Sequence, residues 1–200
     1  VGDRIFVSKY TYGYSKHSFP FSPGIFKGRI FNTSPTYGDL VVFKTPSDNR
    51  TDYIKRLVGF PGDEIQFKDG DLYLNKNKIQ KTEYNNNQKI RCGKNETEVF
   101  FFKEKLIRKK EYNIVYNKVG STINTDIYKV PNNHYFLLGD NRDCSRDSRF
   151  LTSVGYVHED NLVGKAQIVF FSNDTLKGSL FKFWNWKNSI RGDRFFKKLK

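Results

Sequence analysis

The chain has 200 residues, 37% of them hydrophobic, and carries 35 Lys and Arg against 21 Asp and Glu, a net charge of +14. That length is ample for a core in one large domain or two small ones, while the charge excess favours a polyanion, either nucleic acid or an anionic membrane surface. No apolar run reaches the roughly 20 residues that a membrane-spanning helix needs, and no signal peptide is visible at the start.

Nineteen Phe and twelve Tyr supply much of the apolar content, and fifteen Gly and six Pro break the chain into short segments. Aromatic and β-branched residues favour strands, so the chain reads as mostly β. Residues 1–12 read as a strand in which Ile5 and Val7 alternate with polar neighbours, and residues 13–36 as an extended loop. Residues 39–45, 53–60, 63–68 and 71–75 read as successive strands separated by turn residues. Asp69-Gly70 is a hairpin signal, because that pair supplies the positive φ values of a tight turn. In the second of these strands Lys55 sits among Ile54, Leu57 and Val58, and Pro61-Gly62 closes the segment. Burial would disfavour the ammonium form and lower the pKa, which is how a lysine becomes a general base. On a simple alternating strand, Tyr53, Lys55 and Leu57 would instead share one face, and Lys55 would be an ordinary surface lysine.

Residues 75–125 differ in texture, with a polar stretch, a loop at Asn85-Asn86-Asn87, and apolar clusters broken by charge from 98 to 116. They read as an irregular antiparallel β insertion. Strands resume at 126–130, 135–138 and 166–171. Between the last two lies Gly139-Asp140-Asn141-Arg142-Asp143-Cys144-Ser145-Arg146-Asp147-Ser148-Arg149, with three aspartates and three arginines in eleven residues. By itself this run is either an exposed polar loop or a network that neutralises itself when buried. Residues 176–200 hold eight basic residues against Asp193 alone, together with Trp184 and Trp186. Cys92 and Cys144 offer no metal spacing and no disulfide framework, and a bridge between them is not expected. His17, His134 and His158 are scattered, so no metal site is expected.

Four blocks in this chain resemble bacterial type I signal peptidase, the membrane-bound Ser/Lys protease that removes signal peptides. They are Gly2-Asp3-Arg4-Ile5-Phe6-Val7-Ser8-Lys9, Gly38-Asp39-Leu40-Val41-Val42-Phe43-Lys44, Tyr53 to Asp63, and Gly139 to Arg149. The last departs from the family pattern at Cys144, where the pattern has asparagine, so a weak thiol donor stands in place of a small polar amide. The resemblance implies an all-β fold, an antiparallel catalytic core with an inserted smaller β domain. Residues 1–74 and 126–175 would form the core, 75–125 the insertion, and 176–200 a basic aromatic C-terminal segment. It implies Lys55 as general base and Ser145 as the residue that orients it. It also implies ion pairs Arg56–Asp140 and Asp147–Arg149 as structural support, and Ile5, Val42, Tyr53 and Ile54 as walls of shallow substrate pockets. All four are also readable as ordinary core residues, Val42 above all. Ser148 could be a nucleophile on sequence alone, but the family's nucleophile lies in an S-M-x-P-T-L block just ahead of the Gly2 segment. The chain has no methionine, and the expectation is a fragment that begins after that serine, lacks the family's amino-terminal anchor and is inactive by itself.

The partners so implied are signal peptides of secretory preproteins, with small Ala-x-Ala-like residues at the cut, and an anionic membrane surface. The setting is the bacterial inner membrane, with the domain facing the periplasm or exterior. No cofactor and no nucleic acid are implied. Two alternatives use the same residues differently: a related Ser/Lys peptidase of the plasmid-transfer type, and a basic aromatic β module that binds nucleic acid by stacking.

Overall fold

The computed structural model describes residues 2–19, 28–84, 89–93, 95–107, 111–117, 124–174 and 189–199. Its strands pair antiparallel and build three sheets. The largest has seven strands. β1 (Asp3–Ser8), β2 (Leu40–Lys44), β3 (Asp52–Gly59), β12 (His134–Leu138), β13 (Val157–His158) and β14 (Leu162–Ser172) run in the order β1-β14-β2-β3-β12-β13, and β15 (Lys197–Lys198) pairs with β14. A second sheet joins β4 (Glu64–Lys68), β5 (Asp71–Leu74), β6 (Asn77–Lys78) and β11 (Tyr128–Lys129). The third comprises β7 (Gln80–Tyr84), β8 (Lys89–Cys92), β9 (Asn95–Lys105) and β10 (Tyr112–Asn117). Among the described residues no helix is long and apolar enough to cross a membrane.

The central strands β3 and β12 are apolar on both faces because each face has its own core. On one side Leu57 and Leu137 pack with Tyr12, Val41, Phe43 and Val157. On the other, Val58, Phe136 and Leu138 pack with Ile65, Phe67, Leu72 and Leu74 of the second sheet and with Tyr112, Ile114 and Tyr116 of β10. Strict alternation therefore sends odd and even residues of β3 to different surroundings. Asp69 and Gly70, at φ 50° and 75°, turn β4 into β5 and set Ile65 opposite Leu74 and Phe67 opposite Leu72, all four buried.

Several elements differ from the sequence reading. β1 ends at Ser8, because Tyr10 and Gly13 close a backbone turn. The loop that follows is tied down by a Tyr14–Ile30 bridge and by Arg29, which donates to the carbonyls of Tyr12, Gly13, Glu159 and Leu162. β14 begins four residues early, since Leu162–Lys165 pair with β2 before the strand passes on to β1. The short strands β13 and β15 were not anticipated, being too brief to show a period. The Asn85–Asn87 loop, Trp184 and Trp186 lie outside the described residues.

Candidate active site

Lys55 lies on β3 opposite Val41, and its Nζ donates a 2.7 Å hydrogen bond to Ser145 Oγ. Burial pushes the Lys55 pKa down; the Asp147 carboxylate opposes this, the Arg149 guanidinium adds to it, and Asp140 opposes it. Its amine also lies 5.5 Å from the Tyr53 ring centroid, so Tyr53 and Lys55 share a face as strand alternation requires. Both side chains are half-buried there, and Ser145 itself is buried.

Ser145 sits in a turn held by the charges around it. Asp147 is fully buried, and its carboxylate accepts from Gly139 N at 2.9 Å and from Arg149 Nε and a terminal nitrogen, both at 2.8 Å. Arg149 also donates to the carbonyl of Arg142. Ser148 is buried, with its Oγ accepting from Leu137 N at 2.9 Å and its own N–H donating to the Leu137 carbonyl at 3.0 Å. Its hydroxyl oxygen thus serves the backbone of β12. Arg56 points to the opposite face from Lys55. It grips Asp140 through two 2.7 Å hydrogen bonds, donates to the Gly38 carbonyl at 2.8 Å, and stacks 4.0 Å from the Tyr112 ring centroid. The run 139–149 is therefore a largely neutralised, partly buried network and not a solvated loop.

One expectation is overturned. Cys92 of β8 and Cys144 form a disulfide, with Cα atoms 5.6 Å apart across 52 residues of sequence. Cys144 lies in the late block and Cys92 in the unmatched middle of the chain, which argues against a bridge, but β10 docks on residues 140–143 and carries β8 and β9 along. Val115 N donates to the Asp140 carbonyl at 2.9 Å, Arg142 N to the Val115 carbonyl at 3.0 Å, and Asn117 N to the Asp143 carboxylate at 2.6 Å.

The sequence model of signal peptidase, peptidase S26, matches residues 1–171. The chain belongs to this family. It is 42% identical over 220 residues to a signal peptidase I of Rickettsia conorii, covering 98% of this chain and 78% of that protein. It is 41% identical over 217 residues to a signal peptidase I of Rickettsia typhi, covering 98% and 79%. The crystal structure of a signal peptidase I from Enterococcus faecalis V583 is 22% identical, with a TM-score of 0.39, and covers 66% of this chain and 97% of that one.

The four residues named for this family's substrate pockets are dispersed in their exposure. Val42 is buried against Val163 and Ala166, with Ile5 half-buried beside them, whereas Ile54, opposite Val42, is 39% exposed. Tyr53 packs on the core beneath Lys55. Val42 lines a groove of about 770 Å³ with Val7, Lys9, His17, Lys44 and Val163. Ile5, Tyr53 and Ile54 are not among its described walls. Among the described residues no group of three or more His, Cys, Asp or Glu could hold a metal ion.

Two supporting residues were not singled out from sequence. Arg142 and Glu104 form an ion pair in which each is 1% exposed, and Glu104 also accepts from Tyr112 OH. Burial would lower the Arg142 pKa, but the Glu104 carboxylate holds it well above its usual value. Glu104 stands between Lys103 and Lys105, where it looks like any charge on an edge strand. Only the inward turn of the middle residue in that trio would have marked it.

Proposed function

We propose that this chain is the catalytic domain of a signal peptidase that cuts signal peptides from secretory preproteins by a Ser/Lys mechanism, with Lys55 as general base and Ser145 as the group that orients it. The observation that carries this reading is the 2.7 Å Lys55–Ser145 hydrogen bond, made between the two blocks that most resemble the family. A base must be neutral to accept a proton, and burial moves Lys55 in that direction. The nucleophilic hydroxyl would be that of a serine block of the family's S-M-x-P-T-L pattern. Its proton would pass to Lys55 Nζ as the oxygen adds to the scissile carbonyl, and the resulting ammonium would return that proton to the departing amine. Water, deprotonated by the same amine, would then release the acyl group.

The substrate is an extended, small-residue segment that can align with sheet edges and place alternate side chains in shallow pockets, with Ile5, Val42, Tyr53 and Ile54 as the nearest candidates for their walls. Residues 75–125 act as an inserted β subdomain that supports the 139–149 turn. Residues 176–200 bring the domain to an anionic bilayer at the bacterial inner membrane, on its periplasmic or exterior side.

The test is cleavage of a preprotein by this chain joined at its start to a serine block of the family's S-M-x-P-T-L pattern. Cleavage is expected at the Ala-x-Ala site, and Lys55→Ala should remove it. Cleavage that survives Lys55→Ala, or that depends on Ser148, would overturn the assignment.

A further inference from the structure

Ser145 is held from two sides. Its own block supplies Gly139 beneath it and the buried Asp147 beyond it. The middle of the chain supplies the other side. β10 bonds to Asp140, Arg142 and Asp143, β9 pairs with β10, and β8 pairs with β9, where Cys92 stands opposite Asn95. The disulfide from Cys92 to Cys144 closes that circuit one residue before Ser145. Asp143 and Asp147 are fixed by hydrogen bonds on either side, while the stretch from Cys144 to Arg146 is tethered by the disulfide and by the Lys55–Ser145 hydrogen bond.

We infer that the Cys92–Cys144 bridge positions the Ser145 hydroxyl on Lys55, a covalent tether to β8 standing where the family pattern has an asparagine amide. This deepens the proposed function and rests on it. Cys144 is a positioning residue, not a catalytic one: it acts only through the backbone it shares with Ser145. Both cysteines are partly exposed, so a small dithiol can reach them. Reduction would transfer two electrons and two protons from the dithiol, cleave the S–S bond, leave thiols at Cys92 and Cys144, and release the reagent as its cyclic disulfide. The bridge suits the oxidising side of a membrane, where such bonds persist.

The groups that act on the Lys55 amine are the hydrogen-bonded Ser145, the charges of Asp147, Arg149 and Asp140 in the late block, and the Tyr53 ring of its own strand. A loosened turn would readmit water to the amine, lifting the burial that favours its neutral form.

The experiment compares the oxidised and dithiol-reduced forms of the chain joined at its start to a serine block of the family's S-M-x-P-T-L pattern. Reduction should lower kcat by about ten- to a hundredfold with KM nearly unchanged, as misplacement of a catalytic group does. It should also move the acid limb of the kcat/KM profile to higher pH. The double variant Cys92→Ser/Cys144→Asn should recover both kcat and the profile, because the amide can hold the turn without the bridge. In parallel, the Lys55 side-chain carbon signal of the chain itself, followed by NMR against pH, should show a higher midpoint after reduction. A midpoint that is unchanged or lower, or a reduced enzyme with the kcat and profile of the oxidised one, overturns the inference. Absence of any Lys55-dependent cleavage in the oxidised protein would instead sink the functional reading, while the NMR midpoint would still decide whether the bridge positions Ser145.

Discussion

Gly139 lies so close to Ser145 that a Cβ on residue 139 would come within 1.9 Å of Ser145 Oγ and 2.3 Å of its Cβ. The Gly139 φ is not in the left-handed region, so glycine is needed for room and not for backbone freedom. The hydroxyl that meets Lys55 occupies the space left by that missing side chain.

Gly139→Ala should therefore push Ser145 off Lys55. Overpacking of this kind costs about 1–3 kcal/mol, and the displaced hydroxyl should lower cleavage by roughly tenfold or more. Denaturant melts and preprotein assays would measure the two effects; a variant with full activity would show that the Ser145 position does not matter.

Lys55→Met should abolish cleavage yet stabilise the domain at neutral pH. The folded Lys55 pKa lies below its ordinary value, with burial as the main cause. At pH below the folded pKa the lysine is charged in both states, and the native state bears the full cost of burying it. As pH rises from that value towards the unfolded value of about 10.4, the native state releases its proton first, the unfolded state binds more protons, and stability climbs. Urea melts at neutral and alkaline pH should show this climb in the parent and a flatter profile in Lys55→Met. Parallel profiles would mean that the lysine is not buried in solution.

Asp147→Asn and Arg149→Ala should each be strongly destabilising. Asp147 is 0% and Arg149 7% exposed, so removing one partner strands a charge, at about 3–5 kcal/mol. Glu96→Ala provides the contrast. Its partner Arg91 is 35% exposed and Glu96 is 58% exposed, and loss of that pair should cost under about 1 kcal/mol. Similar midpoints for the two sets in chemical denaturation would refute the distinction.

The proposed membrane contact should be tested by charge removal, not by deletion of residues 176–200. Arg191 and Arg194 are engaged with Asp3, and Lys197 and Lys198 pair with Val169 and Ile168 of β14, respectively, so deletion would disturb the main sheet. Changing Lys177, Lys182 and Lys187 to Gln should weaken co-sedimentation with anionic vesicles by on the order of a hundredfold, at about 1 kcal/mol per charge. The binding should also fall with salt. Equal binding by the variant would place the contact elsewhere on the domain.

Chemistry written in consecutive residues was legible in the sequence. The β class followed from aromatic content and short alternating runs, the turn at Asp69-Gly70 from its dipeptide, and the attention given to Lys55 and residues 139–149 from two dense blocks that resemble a known family. Local patterns report which face a side chain takes and where the chain turns. They do not report which distant segments meet. The tertiary structure alone decided that Cys92 bonds Cys144, that Glu104 buries its charge against Arg142, and that Lys55 meets Ser145. The first two of those outcomes depend on β8, β9 and β10 docking against the turn that carries Ser145. Their backbone hydrogen bonds to residues 140–143 are made by groups that every residue possesses, which is why no residue type in the sequence announced them.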